Sequence, residues 1–343
     1  MKWKEYSLNF KEKFLEKGYT DEEIEKYLNY CKQLYDKNLP MILDLNHLSF
    51  LVGYDISFIL GVINSPFHYY RKFNIKKKNG KLREINEPLP SLKEIQLWIN
   101  EFILKKVEKD NKYITSYKSS TSIKDNAKFH KNQKNVLNID IKDYFGSITI
   151  QKVYRYFLSL GYTSSLAFVL SRLCCYKNSL PQGAPTSPLL SNLVTKNLDN
   201  RLLGFARKIN LRYSRYADDI TFSGEFNERF IIKIVKKILE ENGFEINYRK
   251  VRNLKNYQRQ EVTGIIVNKK LQVSRQLRDR LRQEAYYIQK FGLDEHLKRK
   301  KVTDINYIYK LIGLTNFAIF INSNDKKLIK IKEIFYSCLN KER

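Results

Sequence analysis

VLNIDIKDYF (residues 136–145) and RYADDITFSG (residues 215–224) decide the fold, because each places aspartate beside strand-forming residues. The first segment predicts a short buried strand that ends at Asp140, and the second predicts a hairpin with Asp218 and Asp219 near its tip. Carboxylates held a few ångströms apart repel one another and take up protons unless a cation neutralises them. If the fold brings the three aspartates together, the sequence therefore predicts a metal site.

Magnesium is the metal that these ligands favour, because it prefers hard oxygen atoms and keeps positions open for substrate phosphates. Two such ions about 3.5 to 4 Å apart activate the attacking oxygen and stabilise the leaving pyrophosphate in nucleotidyl transfer. Side chains alternate across a strand, so Asp218 and Asp219 share a site only if the turn breaks the pleat, which makes Asp218 the stronger candidate. The alternative for an isolated Asp-Asp pair is an ordinary surface turn.

The charge of the chain predicts a polyanionic partner. Lysine and arginine number 63 against 36 aspartates and glutamates, which gives a formal net charge of +27 spread along the sequence. Nucleic acid fits this charge because phosphate contacts release counterions, and an anionic membrane surface is the alternative. The N-terminus lacks an apolar run of signal length, and no segment approaches the roughly 20 apolar residues that span a bilayer. We therefore expect a cytoplasmic protein without a membrane partner.

Cysteine and histidine do not predict a metal site of their own. The four cysteines lack zinc-ligand spacing and a disulfide framework, and the four histidines are scattered along the chain. Any metal is therefore expected on carboxylates.

The remaining patterns predict a mixed α+β chain. Residues 70–88 are typical of a basic hairpin around an Asn79-Gly80 turn, and Thr20 with Glu23 forms a capping-box pattern at the start of a helix. Strands are predicted over Phe244 to Tyr248 and Glu261 to Val267, and helices over Pro90 to Val107, Gln151 to Leu160, Pro188 to Arg207 and Ile231 to Asn242.

The ordered set of basic hairpin, Asp140, LPQGAPTSP (residues 180–188) and YADD (residues 216–219) resembles the reverse transcriptases. By this resemblance Asp140, Asp218 and Asp219 bind two magnesium ions, and the fold is a right hand with fingers, a palm built on an antiparallel sheet, and a helical thumb. The resemblance implies these boundaries: an N-terminal helical extension at 1–43, fingers at 44–135 with a contribution from about 151–185, the palm at 136–265, and an RNA-binding thumb at 266–343.

The same resemblance implies a nucleotide pocket. Phe145 matches the aromatic residue that faces the sugar of the incoming nucleotide, where a ring excludes a 2′-hydroxyl. Lys78 and Arg83 match the fingers residues that clamp the triphosphate. Gln182-Gly183 matches the segment that lines the pocket, and Lys250 stands where many polymerases place a lysine that protonates pyrophosphate. Taken alone, these residues are a core phenylalanine, solvated surface charges and a plain turn.

Two further motifs resemble those of bacterial retron reverse transcriptases, Asn126-Ala127-Lys128-Phe129-His130 and Val262-Thr263-Gly264. The resemblance implies that these motifs bind RNA. Without it, His130 is a packed or capping histidine and Val-Thr-Gly is an ordinary strand end. The resemblance also implies that synthesis starts from the 2′-hydroxyl of a guanosine in a cognate structured non-coding RNA. Deoxynucleoside triphosphates are then added, and the product is a branched RNA-DNA hybrid, msDNA.

Retron systems act in anti-phage defence, so the resemblance further implies a separate effector protein and host ribonuclease H as partners. Two alternatives stay open. One is another bacterial defence or intron-derived reverse transcriptase that uses a conventional primer. The other is a non-catalytic RNA-binding scaffold, which needs the basic surface but not the aspartates.

Overall fold

The computed structural model describes residues 2–77, 80–109, 111–118, 120–304 and 306–339. Its helices are α1 (Trp3–Glu16), α2 (Asp21–Tyr35), α3 (Leu45–Val52), α4 (Ile56–Asn64), α5 (Pro90–Ile99), α6 (Lys105–Val107), α7 (Ile123–Phe129), α8 (Ile150–Leu160), α9 (Ser164–Cys174), α10 (Ser187–Val194), α11 (Lys196–Lys208), α12 (Glu228–Glu241), α13 (Arg275–Phe291), α14 (Leu293–Lys300), α15 (Tyr307–Ile321) and α16 (Lys326–Leu339). Its strands are β1 (Tyr70–Lys76), β2 (Leu82–Pro88), β3 (Asn135–Asp140), β4 (Arg212–Tyr216), β5 (Asp219–Gly224), β6 (Arg252–Lys255), β7 (Glu261–Val262) and β8 (Ile265–Ile266). Short 3₁₀ turns cover Pro66–Tyr69 and Tyr248–Lys250, and a π-helical segment, Asn100–Leu104, joins α5 to α6.

Two compact units share these elements. Unit 1 comprises Met1–Lys112, Ile141–Arg201 and Lys237–Glu245, and unit 2 comprises Tyr113–Asp140, Leu202–Lys236 and Ile246–Arg343. The predicted boundaries of fingers, palm and thumb follow the order of the sequence, whereas these units each combine distant segments. The boundaries therefore stay predictions.

In unit 1 the predicted basic hairpin is confirmed, because β1 and β2 pair in antiparallel register from Tyr70 opposite Pro88 to Lys76 opposite Leu82. The buried side chain of Gln96 anchors the end of the hairpin at Tyr70. Its Nε2 donates to the hydroxyl of Tyr70 at 2.9 Å and to the carbonyl of Leu173 at 2.8 Å. The predicted turn residue Asn79 lies outside the described residues.

The N-terminal helices follow the expected pattern. Thr20 accepts a hydrogen bond from the backbone of Glu23, whose side chain accepts from the backbone of Thr20, so the capping box is confirmed. Aromatic rings join α1 to α2, with Phe14 lying 5.6 Å from Tyr27 between ring centroids. In the described part of the chain no single helix is both long and apolar enough to cross a membrane. The consecutive helices α3 and α4 together have the length and apolar composition of a membrane span, but the chain bends by 106° between them.

Unit 2 is built on a four-stranded antiparallel sheet in the order β4-β5-β3-β6. The interior strand β3 is buried along nearly its whole length, which explains its apolar residues Val136, Leu137 and Ile139. An apolar core that includes Val136 of β3 connects the β7–β8 hairpin to α13, α15 and α16. Glu284 of α13 is buried and is hydrogen-bonded to His296 and Lys300 of α14 and to Tyr307 of α15.

Two predicted strands are wrong. Phe244 to Tyr248 runs into the 3₁₀ turn, and the strand of this region is β6 instead. Glu261 to Val267 folds back on itself as the small β7–β8 hairpin, because Thr263 and Gly264 both take positive φ angles, 47° and 82°, and form its turn. Both segments contain the apolar residues that favour a strand, but in each the backbone turns before a single strand of the predicted length forms.

Candidate active site

The two adjacent aspartates lie at the tight turn between β4 and β5. Tyr216 pairs with Asp219, so the connection contains only Ala217 and Asp218. Ala217 has a φ of 56°, in the left-handed region that a residue with a Cβ seldom occupies. This turn breaks the strand pleat between Asp218 and Asp219. The two carboxylates can therefore face the same site, as the sequence analysis required.

Asp140 completes the cluster from the neighbouring strand. It is the last residue of β3 and pairs directly with Asp219 across the antiparallel ladder. Asp140 is buried, Asp218 is half-buried and Asp219 is exposed, and one carboxylate oxygen of each lies within 4.8 Å of the others. The structure therefore brings together three residues that are up to 79 positions apart in sequence (219 minus 140).

The electrostatics of this cluster fit a divalent cation. Desolvation by the surrounding protein atoms, followed by repulsion from Asp218 and Asp140, raises the pKa of Asp219 to about 6. Burial and the charge of Asp140 likewise raise the pKa of Asp218. These shifts record the cost of holding three carboxylates together, and a hard cation with oxygen ligands removes that cost.

Two residues at the 3₁₀ turn Tyr248–Lys250 fix the orientation of Asp140. Asn247 donates from its backbone N to the carbonyl of Asp140 at 2.8 Å and from Nδ2 to Oδ1 at 2.9 Å. Lys250 donates from Nζ to Oδ2 at 2.6 Å. Burial lowers the pKa of Lys250, but its hydrogen bond to Asp140 and the nearby aspartate charges outweigh burial and raise it.

Sequence analysis missed Asn247 and Arg215, which both hold the site in place. Arg215 is fully buried, and its Nη1 donates to the carbonyl of Ala217 at 2.9 Å, within the turn that carries Asp218. Arginine is rarely buried without a specific partner, so its position one residue before the YADD motif was the available signal. No comparable signal distinguished Asn247.

The predicted nucleotide-pocket residues of unit 1 include a loop that docks on the basic hairpin. The backbone N of Asn86, on β2, donates to the carbonyl of Gln182 at 2.8 Å. Gly183 has a φ of 129°, and a Cβ there would lie 2.8 Å from the carbonyl oxygen of Asn86. Arg83 is exposed on the same strand, and Phe145 is half-buried. Lys78 lies outside the described residues.

Comparison with known proteins decides the family. Residues 75–272 match the family described as reverse transcriptase (RNA-dependent DNA polymerase). The retron Ec86 reverse transcriptase of Escherichia coli is 33% identical over 272 residues, which cover 77% of this chain and 83% of that protein. The chain belongs to the bacterial retron reverse transcriptases. It is an RNA-directed DNA polymerase with the right-hand polymerase fold, as predicted.

Two further matches cover smaller shares of the matched proteins. The retron Mx65 reverse transcriptase of Myxococcus xanthus is 34% identical, with 62% of this chain and 55% of that protein covered. Among solved structures, the foamy viral protease-reverse transcriptase in complex with double-stranded DNA matches with a TM-score of 0.42 and 17% identity. That match covers 79% of this chain and 43% of the viral chain.

The two motifs that resemble other retron reverse transcriptases lie together in unit 2. Asn126 and His130 are at most 1% exposed and are hydrogen-bonded inside the protein, so direct RNA contact by these two side chains does not agree with their interior positions. Val262 is also buried. Thr263 is half-buried, Gly264 is exposed, and both occupy the turn of the β7–β8 hairpin. RNA binding stays a prediction for this turn.

Proposed function

We propose that this enzyme copies part of a cognate structured non-coding RNA into a branched RNA-DNA hybrid, msDNA, starting from a guanosine 2′-hydroxyl. The observation that carries the catalytic part is the cluster of Asp140, Asp218 and Asp219 within 4.8 Å. Two magnesium ions are the proposed occupants, held by these carboxylates. When bound, they supply charge stabilisation for the attacking and leaving oxygens of the nucleotidyl transfer.

Around this centre, other side chains are proposed to bind and orient the deoxynucleoside triphosphate. Arg83 and Lys78 contact its phosphates, since a guanidinium fork and an ammonium group both match phosphate oxygens. Phe145 excludes a ribose 2′-hydroxyl by its bulk. The loop at Gln182-Gly183 lines the pocket, and its bond to Asn86 supports that position.

Lys250 is proposed as the group that gives a proton to pyrophosphate as it leaves. Its Nζ already lies 2.6 Å from Oδ2 of Asp140 while its side chain is 58% exposed, so the ammonium group is at the site and also open to a substrate. Lysine is one of the side chains able to act as a general acid in such a step.

The C-terminal helices are proposed to grip an RNA stem by phosphate contact and shape. The exposed face of α13 supports this, because Arg275, Arg282, Tyr286 and Lys290 follow one another at intervals of seven, four and four residues along its accessible side. Basic and aromatic side chains in this arrangement suit a phosphate backbone and unstacked bases.

A role in anti-phage defence, with a separate effector protein and host ribonuclease H as partners, is proposed from the retron resemblance alone. We expect that cells carrying the enzyme with its neighbouring genes resist phage infection and that the Asp218→Asn variant does not. Equal resistance in the two strains contradicts this part of the proposal.

The catalytic proposal is tested by incubating the purified enzyme with its RNA, magnesium and deoxynucleotides. Asp218→Asn is expected to abolish DNA synthesis while the affinity for RNA stays the same, because the substitution alters a metal ligand and leaves the basic surfaces unchanged. DNA synthesis in that variant contradicts the site assignment. A wild-type product joined to RNA by a 2′-5′ bond supports the priming proposal, whereas a product with a free 5′ end points to a conventional primer.

A further inference from the structure

His130 lies in the interior of unit 2, between two strands that carry the catalytic turn. Its Nδ1 is 2.7 Å from Oγ of Ser223 on β5, and its Nε2 is 2.8 Å from Oγ of Ser214 on β4. All three residues are fully buried. One imidazole ring therefore connects the two strands of the catalytic hairpin.

The hydrogen bonds of this cluster have a single direction. Oγ of Ser214 donates its only proton to Oδ1 of Asn126 at 2.6 Å, so Ser214 can only accept from His130. Nε2 of His130 must then carry the ring proton, which leaves Nδ1 to accept from Ser223. The resulting chain, Ser223 to His130 to Ser214 to Asn126, satisfies each of these ring nitrogens and hydroxyls without a charge.

Strand register puts this chain on the same face of the sheet as the catalytic carboxylates. Ser214 pairs with Thr221, and Asp219, Thr221 and Ser223 alternate along β5, so their side chains share one face. Asp140 pairs with Asp219 and therefore lies on that face too. Ser223 follows Asp219 by four residues on β5, which is roughly 13 Å along a strand, and Ser214 precedes the turn residue Asp218 by four residues.

The strands that carry the aspartates must be rigid, because the proposed ions require a fixed ligand geometry. Magnesium accepts only near-ideal octahedral coordination with ligand distances of about 2.0 to 2.1 Å. The turn itself cannot supply that rigidity, since Ala217 holds an unfavourable backbone angle. The strands behind it must be fixed from outside the turn, and α7 carries Asn126, with His130 as the C-cap residue directly after the helix.

We propose that His130 is a positioning residue for catalysis: with Asn126, Ser214 and Ser223 it fixes β4 against β5, so that Asp218 and Asp219 keep the spacing that divalent cations need. This inference rests on the proposed metal site at the three aspartates. In this proposal the motif from Asn126 to His130 supports the metal site through the sheet and does not contact RNA.

The test measures single-nucleotide addition on a preformed RNA template with a DNA primer, as a function of magnesium concentration. His130→Leu keeps a similar volume but removes both hydrogen bonds, and Ser223→Ala is the milder second variant. We expect His130→Leu to raise the magnesium concentration for half-maximal rate by about tenfold, the size of effect typical of residues that orient metal ligands indirectly, and Ser223→Ala to raise it by a smaller factor. Affinity for the RNA template should stay unchanged, because the cluster is buried. His130→Gln, which keeps a donor and an acceptor, should recover part of the loss.

His296→Leu is the matched control, because His296 is also a buried histidine of unit 2, bonded to Glu284 at 2.7 Å, but belongs to the C-terminal helices. It should lower the thermal stability by a similar amount without changing the magnesium requirement. The inference is overturned if folded Ser223→Ala and His130→Leu keep the wild-type requirement, or if His296→Leu raises it equally. Failure of the proposed metal site gives a different result: wild-type synthesis would then not depend on magnesium, or Asp218→Asn would stay active.

Discussion

The Nζ atom of Lys250 lies 2.6 Å from Oδ2 of Asp140, so the most buried carboxylate of the aspartate cluster is paired with a lysine that solvent also reaches. Two roles are compatible with this contact. Lys250 either balances the charge of Asp140 or supplies a proton to the leaving group. A substitution that keeps the positive charge but cannot release a proton distinguishes the two roles.

Lys250→Arg keeps the positive charge but does not release a proton, since the guanidinium pKa is far above neutral, whereas Lys250→Met loses both properties. If Lys250 is the general acid, both variants should slow single-nucleotide addition by about 10²- to 10⁴-fold in rapid-quench measurements. A near wild-type rate in Lys250→Arg, with loss only in Lys250→Met, assigns Lys250 to charge balance instead.

Gly183→Ala should weaken nucleotide use, because the added Cβ meets the carbonyl oxygen of Asn86 at 2.8 Å and Cγ2 of Ile85 at 2.9 Å, at a φ of 129° that alanine avoids. The loop must then move away from β2, and a small displacement of a substrate-binding segment costs about 10²-fold in kcat/KM. Steady-state kinetics with one deoxynucleotide measure this change.

Gly204→Ala is the control for that substitution. Gly204 lies within α11, and a Cβ there meets no atom within 4 Å. We expect unchanged kinetics and a gain in the free energy of unfolding of about 0.5 to 1 kcal/mol, because alanine favours the helix. If the two variants show equal kinetics, the close packing of Gly183 against Asn86 has no role in substrate binding.

Phe145→Ala should reduce discrimination against ribonucleotides. One methylene in an apolar pocket changes selectivity by about 10- to 200-fold, so loss of the ring should lower the ratio of kcat/KM for deoxynucleotides over ribonucleotides by at least about tenfold. Tyr144→Phe is a suitable control, because the Tyr144 hydroxyl is buried and donates to the carbonyl of Ser191 at 3.2 Å. An unchanged ratio in Phe145→Ala contradicts the proposed contact with the sugar.

The three aspartates of the proposed metal site could be predicted from local sequence patterns together with the ordered set of motifs that resembles the reverse transcriptases. A strand that ends in aspartate and a hairpin with adjacent aspartates were visible as patterns, and the strand register then aligned Asp140 with Asp219. The condition on the turn was also predictable, since alternation of side chains follows from strand geometry. The φ of Ala217 that meets this condition was not predictable, because the surrounding sheet imposes it.

The errors concern features that tertiary contacts decide. Phe244 to Tyr248 has strand-like residues, but the backbone N of Asn247 bonds to Asp140, and the chain then enters a 3₁₀ turn. The retron resemblance implied that His130 binds RNA, whereas two serines on β4 and β5 give it partners in the interior, as the alternative of a packed histidine expects. Neither partner could be identified from spacing along the chain.

The interior position of His130 predicts how stability depends on pH. Burial, and then the positive charge of Arg212, lower the pKa of His130 to about 3, while an unfolded chain has a histidine pKa of about 6.5. Above pH 6.5 both states are neutral at this residue, and the hydrogen-bonded imidazole contributes its full stability. As the pH falls from about 6.5 towards 3, the unfolded chain binds a proton that the folded chain excludes, so the free energy of unfolding decreases by at most about 1.4 kcal/mol per pH unit. Urea unfolding at about pH 7 and about pH 5 should show this loss in the wild type and a smaller loss in His130→Gln. The same pH dependence in both proteins would mean that His130 is accessible to protons in the folded state, which contradicts the buried, directed hydrogen-bond chain.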